Sequence, residues 1–414
     1  VVFDIDEGPK VYINRINING NSRTIDKVIR RAFSFSEGDA YNKFSVNYAK
    51  DRIKSLNYFE TVEINQERVD DTDRLNLNVN VVEKNTGSAT LGAGYGDANG
   101  SSLTAGITES NFLGKGQKLK LQASLSGTQS VYDLSITEPF FLNKDLSVRA
   151  DLYSKLDDPS NVNYETNTIG FGTSLDFPLS PSNRITTKYS LYSAKTTADA
   201  NATDYERLLS GTNTVSIVGY QLSLDKRNSP YKPSAGTIFT IEQNLAGIGG
   251  TSNYVQNKLT FKGYKKLNKI LTGSIKSQLG TLNGYNGKYA PVDALFSIGG
   301  KKLRGFKSGK VGPKFNNSYT GGNYYYVIAT ETYFDLPIDE YDISSSLFVD
   351  LGSVWGLDDR YGNIPDDHKL RSSFGINLNW DSAIGPINFI LAEPLMSEPT
   401  DTTDKFSFDI GYNF

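Results

Sequence analysis

The chain has 414 residues, of which 38% are hydrophobic, and its formal net charge is −3. With so little net charge and no basic stripe, it lacks the footprint of a nucleic-acid-binding protein. It contains no cysteine, which excludes disulfides, thiolate metal sites and cysteine nucleophiles. No apolar run of about 18 residues occurs, so transmembrane helices are excluded.

The first residues carry no Met, no basic segment and no apolar segment of a secretory signal. Either a signal peptide was removed or the sequence starts inside a longer protein. We expect residues 1–8 to be the tail strand of a preceding domain or a linker.

Residues 9–84 mix helical and strand periods in a way that predicts a small α+β domain. Apolar residues at helical spacing predict two helices, capped by Thr24 and Ser45. In chain order, the predicted elements are a strand at Val11–Ile18, a helix from Thr24 to about Phe33, a helix beginning at Ser45, and strands at Val62–Gln66 and Leu75–Val82. The order is therefore β-α-α-β-β.

Residues 85–414 lose the helical period and alternate between apolar and polar side chains. We count about sixteen such segments, at roughly twenty residues for each strand and its connection, which predicts a transmembrane barrel of antiparallel strands. Clear examples are Gln117–Leu125, Thr237–Leu245, Tyr324–Phe334 and Ile343–Leu351. The mean hydropathy of a membrane barrel is low because apolar outer residues alternate with polar inner residues along each strand.

Long and short connections alternate along this region. Lys195–Thr212 and Leu282–Asn323 are long, whereas Pro178–Ser182 and Asp381–Gly385 are short. Outer-membrane barrels have short periplasmic turns and long external loops, so the long connections are expected outside the cell.

The last nine residues form an alternating strand that ends on an aromatic side chain. One face is apolar and consists of Phe406, Phe408, Ile410, Tyr412 and Phe414. The other face is polar or small and consists of Ser407, Asp409, Gly411 and Asn413. A strand with one fully apolar face suits contact with lipid, and a terminal aromatic suits the interfacial girdle.

Three features together resemble the superfamily of outer-membrane β-barrel assembly factors. The small domain runs through Val81–Gly87 directly into the first barrel strand, the segment Gly299–Phe306 contains Arg-Gly-Phe, and the chain ends on the strand just described. The resemblance implies that residues 9–84 are a periplasmic polypeptide-transport-associated (POTRA) domain, the one next to the barrel. It further implies that residues 85–414 are a sixteen-stranded barrel in the outer membrane of a Gram-negative bacterium, with a re-entrant loop at 282–323.

The re-entrant loop carries Arg304, a cation that needs a partner in a water-poor lumen. By strand parity, Glu331 and Asp350 both point inward on neighbouring strands, and a guanidinium can bind two carboxylates. The resemblance implies this pairing and a loop lock made of Arg304, Gly305, Phe306, Glu331 and Asp350. The alternative is a solvated Arg-Gly turn.

The first barrel strand, Gly87–Gly96, is rich in glycine, which weakens a strand and leaves its register poorly fixed. We expect a weak seam between the first and last strands, whose opened edge would pair with a client strand. The seam residues are Gly87, Ala89, Leu91, Gly92 and Gly94 in the first strand, and Phe406, Phe408, Asp409, Ile410, Gly411, Tyr412 and Phe414 in the last. Alternatively, the glycines only relieve crowding or adjust curvature; the resemblance favours gating.

Features of enzymatic chemistry are sparse. His368 lies beside Asp366 and Asp367 in a predicted outer loop and is expected to be solvated rather than catalytic. Asp70–Asp73 lacks the glycine and terminal glutamate of a calcium loop and is expected to be a hairpin turn. We therefore expect no enzyme, no metal and no cofactor.

The resulting hypothesis is an insertase that folds barrel proteins into the outer membrane. Its expected partners are unfolded outer-membrane β-barrel clients, accessory periplasmic lipoproteins of an assembly complex, and outer-membrane lipids, but no nucleic acid. Two alternatives remain open: a POTRA-containing translocator for two-partner secretion or autotransporter assembly, and a passive porin.

Overall fold

The computed structural model describes residues 10–70, 72–97, 99–159, 162–315, 318–335, 343–357, 364–382 and 385–411. The expected tail strand at 1–8 and the seam residues Tyr412 and Phe414 lie outside these ranges. The chain forms two compact units. One comprises Val1–Ala89, Ile107–Lys120 and Ser135–Lys144, and the other comprises Thr90–Gly106, Leu121–Leu134 and Asp145–Phe414. Among the described residues, no helix is both long enough and apolar enough to span a bilayer.

The first unit contains the small α+β domain with the predicted element order. Its elements are β1 (Tyr12–Asn19), α1 (Asp26–Arg30), α2 (Lys43–Ser55), β2 (Phe59–Arg68) and β3 (Arg74–Glu83). The sheet order is β1-β3-β2, with β1 parallel and β2 antiparallel to the central β3. Alternate side chains of β3, from Leu75 to Val81, enter one core with both helices, so the period-2 pattern of this strand places the core.

The predicted helix starts were wrong. Asn42, not Ser45, caps α2, because its side chain accepts bonds from the backbone nitrogens of Phe44 (2.9 Å) and Ser45 (3.2 Å). Helix α1 is shorter than predicted and has no side-chain cap. Thr24 instead accepts a bond from Asn111 through its hydroxyl (2.8 Å).

The loop before α1 is bound by Glu83, the last residue of β3. Its carboxylate accepts bonds from the backbone nitrogens of Thr24 (2.7 Å) and Arg23 (2.9 Å) and from the hydroxyl of Ser22 (2.9 Å). Burial works to raise the pKa of Glu83, but these bonds outweigh it and hold the pKa below its usual range. Glu83, a residue distant in sequence, thus satisfies the backbone donors of the loop that leads into α1.

Sixteen strands in the described part of the chain form a closed antiparallel barrel, which confirms the predicted fold class. They are β4 (Gly87–Gly96), β5 (Gly100–Phe112), β6 (Gln117–Ser126), β7 (Gln129–Glu138), β8 (Ser147–Asp157), β9 (Tyr164–Ser180), β10 (Asn183–Ala198), β11 (Gly211–Asp225), β12 (Gly236–Ala246), β13 (Tyr254–Lys266), β14 (Leu271–Gly284), β17 (Tyr324–Asp335), β18 (Ile343–Trp355), β19 (Arg371–Ser382), β20 (Gly385–Met396) and β21 (Phe406–Ile410). Two short strands, β15 (Lys314–Phe315) and β16 (Ser318–Tyr319), pair within the re-entrant loop.

Strand parity separates the two faces of the barrel wall as the alternation predicts. In β18, Leu347 and Val349 are 53% and 43% exposed, whereas the intervening Phe348 and Asp350 are 3% and 1% exposed. The apolar outer positions suit lipid, and the inner positions are covered by the re-entrant loop.

The long connections carry local structure of their own. The predicted loop at 195–212 is largely ordered, because β10 extends to Ala198 and a helix, α3 (Asp204–Leu209), precedes β11. Thr203 and Glu206 cap α3 reciprocally as a capping box. The re-entrant loop contains a 3₁₀ turn at Val292–Ala294 as well as the β15–β16 hairpin.

Candidate functional site

Arg304 lies at the centre of the re-entrant loop with both expected acids around it. Its Nε and Nη2 donate to the two oxygens of Asp350 at 2.8 and 2.7 Å, and its Nη1 donates to Glu331 at 3.0 Å. The backbone nitrogen of Arg304 also donates to Asp350 at 3.0 Å. The three side chains are 9%, 13% and 1% exposed in the order Arg304, Glu331, Asp350. This bidentate, buried arrangement gives the guanidinium an orientation that a solvated turn would lack.

The barrel wall positions the two acids and satisfies them further. Asp350 lies on β18 and Glu331 on the adjacent β17, both on the inward face. Glu331 also accepts from the hydroxyls of Tyr333 (2.9 Å) and Ser346 (2.5 Å). Because each buried charge is paired and hydrogen-bonded, the cost of removing it from water is offset.

Sequence reasoning missed Phe348, whose ring lies under the guanidinium. The Cζ atom of Arg304 is 3.5 Å from the ring centroid, a cation–π contact. The signal was present, because Phe348 is two residues before Asp350 and so shares its inward face. The lock therefore rests on an aromatic platform as well as on two acids.

The glycine and phenylalanine that follow Arg304 have steric reasons to be there. Gly305 adopts φ 89°, and a Cβ at this position would approach Ser373 Cβ to 3.0 Å and Ala392 Cβ to 3.4 Å. Phe306 is 1% exposed and packs in one apolar cluster with Leu303 of the loop and Val327 of the wall. The Arg-Gly-Phe segment thus combines a charge anchor, a turn against the wall and an apolar anchor.

The first and last strands of the barrel, β4 and β21, meet at the seam. In the described residues, β21 pairs with β4 only at Asp409↔Gly96 and Ile410↔Tyr95. On its other side it forms five pairs with β20. These pairs place the described part of the seam at the C-terminal end of β4.

The structure places the predicted seam residues only partly at this ladder. In the last strand, Asp409 and Ile410 belong to it, while Phe406 and Phe408 pair with β20. Gly411 follows with φ 111° and donates its backbone N–H to Pro386 at 2.9 Å. In the first strand, the five predicted residues Gly87, Ala89, Leu91, Gly92 and Gly94 lie in β4 but outside the two described pairs.

Tyr95 and Gly96 form the first-strand side of the ladder, and alternation alone could not identify them. Tyr95 also stacks on Phe408 across the seam, with ring centroids 5.3 Å apart. An aromatic residue at the end of a glycine-rich strand was the available signal. Its stacking supplies contact area that the glycines cannot.

Two features were considered for other chemistry, His368 and the acidic turn Asp70–Asp73. The exposed His368 has its Nε2 3.2 Å from the Tyr326 hydroxyl and its ring against Trp355. Asp71 of the acidic turn lies outside the described residues. Within the described ranges, no three His, Cys, Asp or Glu side chains cluster in a way that could hold a metal ion.

Two family models match the chain, one within the barrel and one over the small domain. The Omp85 superfamily domain matches residues 111–414, and a POTRA model, described as a surface antigen variable number repeat, matches residues 11–84.

Curated relatives include the outer membrane protein assembly factors BamA of Neisseria meningitidis serogroup B and of Neorickettsia risticii. They are 29% and 28% identical to this chain and cover 100% and 99% of it. The chain spans 58% and 56% of their lengths, so it corresponds to a little over half of each.

Solved structures show the same architecture. The crystal structure of BamA from Haemophilus ducreyi lacking POTRA domains 1–3 superposes with a TM-score of 0.89 at 29% identity, covering 99% of this chain and 86% of that one. CdiB from Acinetobacter baumannii has a TM-score of 0.60 at 16% identity, covering 97% and 74%, and shows the fold alone. With a family model matching most of its length, this chain belongs to the Omp85 superfamily and carries a POTRA domain before its barrel.

Proposed function

We propose that this chain acts as a BamA-type insertase, which folds outer-membrane β-barrel proteins and inserts them into the membrane. The observation that carries the proposal is the junction of β4 and β21, where the glycine-rich first strand of the closed barrel meets its last strand. The similarity to BamA proteins along the whole chain supports it.

The seam supplies a template that needs no chemical reaction. When β21 parts from β4, backbone N–H and C=O groups of β4 lose their partners at the edge of the sheet. A client strand satisfies them by pairing with the edge, so that main-chain bonds supply affinity without demanding one client sequence. Each net backbone bond across the seam contributes about 1 kcal/mol, so the bonds gained with a client strand offset those lost with β21.

The loop lock keeps the re-entrant loop inside the barrel during this cycle. Arg304, Gly305 and Phe306 hold the loop on the inner face of the wall at β17 and β18. The wall at β17 and β18 thereby stays ordered while the seam opens. This division of the barrel into a fixed part and a movable edge is what an insertase requires and a passive porin does not.

The location and partners follow from this role. The Omp85 barrel and the BamA relatives support an outer-membrane location in a Gram-negative bacterium. The POTRA domain faces the periplasm, where it meets unfolded β-barrel clients and accessory lipoproteins, and the barrel wall contacts outer-membrane lipids. The relatives are named as assembly factors, and insertion here proceeds without a cofactor or a covalent step.

A reversible cross-link tests the proposal. Tyr95→Cys and Ile410→Cys form a directly paired position across the seam, and the chain has no other cysteine. Paired antiparallel residues have Cα separations compatible with a disulfide. In liposomes, the oxidised protein should lose insertion of a client barrel and regain it on reduction.

A matched control joins Ile241→Cys to Leu259→Cys, a pair between β12 and β13. That disulfide should leave insertion unchanged. Full activity with the seam oxidised would overturn the proposal and favour a scaffold or a pore.

A further inference from the structure

The connection between β20 and β21, residues 397–405, is bound along its length to the re-entrant loop. The backbone bonds are Lys307 N to Thr402 O (2.9 Å), Thr402 N to Lys310 O (3.0 Å) and Asp404 N to Gly305 O (2.8 Å), with a bridge between Phe306 and Thr403. The Tyr319 hydroxyl adds bonds to Thr400 O (2.7 Å) and Thr402 Oγ1 (2.8 Å). The residues next to Arg304 therefore hold the segment that leads into the last strand.

A buried ion pair fixes the start of this connection to the barrel wall. Arg371 at the beginning of β19 donates through Nε and Nη2 to the two oxygens of Asp401, at 2.9 and 3.1 Å. Their side chains are 3% and 0% exposed. Asp401 also accepts from the backbone nitrogens of Glu398 (2.8 Å) and of Gly312 in the re-entrant loop (3.3 Å). One carboxylate thus joins the wall, the connection and the loop.

The loop reaches the seam strand itself through a second charge contact. Lys301 Nζ lies 3.1 Å from an oxygen of Asp409, the residue that pairs with Gly96 of β4. The loop consequently touches the chain on both sides of the start of β21, at Asp404 and at Asp409.

We propose that Arg371 and Asp401 are positioning residues that couple the locked re-entrant loop to closure of the seam between β4 and β21. The inference rests on the proposed function only in taking the seam as the working edge. The loop's bonds to the connection act at the start of β21, directly before its described pairs with β20 and β4. Loss of the Arg304 contacts detaches the loop from the wall and lets β21 separate from β4. Loss of the Asp401 contacts also lets β21 separate, while the Arg304 contacts remain.

A merely structural ion pair would behave differently. Its loss would weaken the barrel as a whole and act independently of Arg304. A coupling pair acts on the β4–β21 seam selectively, and its effect shrinks once the loop is already released, because contacts in one network are not additive.

The test measures seam closure without any client. The rate of disulfide formation in the Tyr95→Cys/Ile410→Cys protein reports how often the seam is paired, and the Ile241→Cys/Leu259→Cys pair reports on the wall. Asp401→Asn should slow the seam disulfide roughly tenfold, the size of a lost charge-assisted bond, and leave the wall disulfide unchanged. Tyr319→Phe removes one hydroxyl and should slow it in the same direction by about threefold.

Two further variants complete the design. Glu242→Gln breaks the ion pair with Lys188 (2.5 Å) between β10 and β12 and should leave the seam rate unchanged. Asp401→Asn should also be introduced into a protein that already carries Arg304→Ala. There, the change that it causes in the logarithm of the seam disulfide rate should be well under half of the change that it causes in the protein with Arg304 intact.

Equal slowing of both disulfides, full additivity with Arg304→Ala, or an unchanged seam rate would overturn the coupling. If Asp401→Asn does not fold, the same comparison of seam and wall disulfide rates is made with Tyr319→Phe. Client insertion is measured separately from the seam disulfide rate. If Asp401→Asn slows the seam disulfide but the protein inserts no client, the coupling holds and the proposed function is refuted.

Discussion

Asp97 accepts the backbone N–H of Phe408 at 2.7 Å, at the point where the ladder between β4 and β21 would otherwise continue past Gly96. A side chain thus occupies a backbone donor of the last strand and ends the described ladder there. The arrangement keeps the donor satisfied without adding a further pair to the seam.

Replacement of this acceptor should loosen the seam. Asp97→Ala leaves the Phe408 N–H to water, and the fraction of seam disulfide in the Tyr95→Cys/Ile410→Cys protein should fall by up to about tenfold. Asp97→Asn, which keeps an acceptor oxygen, should lie between this variant and the unchanged residue. A higher disulfide yield in Asp97→Ala would contradict the account, since it would mean that Asp97 blocks pairing.

Removal of Arg304 alone should lower the stability of the folded protein more than removal of both Arg304 and Asp350. Arg304→Ala leaves Asp350 buried without its cation and should cost about 3–5 kcal/mol of folding free energy. Arg304→Lys cannot reproduce the bidentate contact and should fall in between. Thermal unfolding in detergent, followed by the gel mobility of folded and unfolded barrel, measures the series.

The matched control for this series is the double variant Arg304→Met/Asp350→Leu, which removes both charges. It should be more stable than Arg304→Ala because Asp350 no longer remains as a buried charge without its cation, while Glu331 keeps its bonds from Tyr333 and Ser346. If Arg304→Ala unfolds at the same temperature as the unchanged protein, the lock contributes nothing to the barrel.

The stability of the POTRA domain should depend on pH through Glu83. Its folded pKa is depressed, so the carboxylate contributes stability that is fully present above the unfolded value of about 4.3 and is lost as pH falls through the lower folded pKa. The protection of the backbone amides of residues 22–26 against hydrogen exchange, relative to the intrinsic exchange rate at each pH, should fall over that interval in the full chain.

The control for this pH dependence is Glu83→Gln, which should exchange faster at neutral pH and respond less to acid in this segment. An unchanged acid response in Glu83→Gln would assign the effect to another group.

The cap of α2 gives a simple stability test. Asn42→Ala should destabilise the POTRA domain by about 1 kcal/mol, because two backbone donors lose their acceptor. Ser45→Ala is the matched control and should change the free energy of unfolding much less. A larger effect at Ser45 would restore the sequence-based placement of the cap.

The sequence predicted those features that depend on local periodicity. Alternation gave the barrel and the inward direction of Glu331 and Asp350, because parity within one strand needs no knowledge of its neighbours. It could not give the offset between β4 and β21, since the closing register depends on the stagger around the entire barrel. The pairing of Tyr95 and Gly96 with the last strand is of this kind.

The sequence pattern could not predict the contacts of Arg371 and Asp401, because they also depend on parts of the chain that are distant in sequence. Asp401 lies in the polar segment Glu398–Asp404, which has no period and resembles a solvated loop. Its complete burial results from a loop that returns from elsewhere in the chain. Phe348, by contrast, shared the face of Asp350 and could have been identified.

The most direct test of the central claim is to trap a client strand on β4. A single Leu91→Cys in this cysteine-free chain would be combined with a stalled client barrel carrying single cysteines along its terminal strand. Leu279→Cys on β14, outward-facing and 45% exposed, is the matched control. The account predicts disulfides from Leu91→Cys to alternate client positions in one register and none from Leu279→Cys. Equal trapping at both positions, or insertion with no trapping at Leu91→Cys, would contradict templating at the seam.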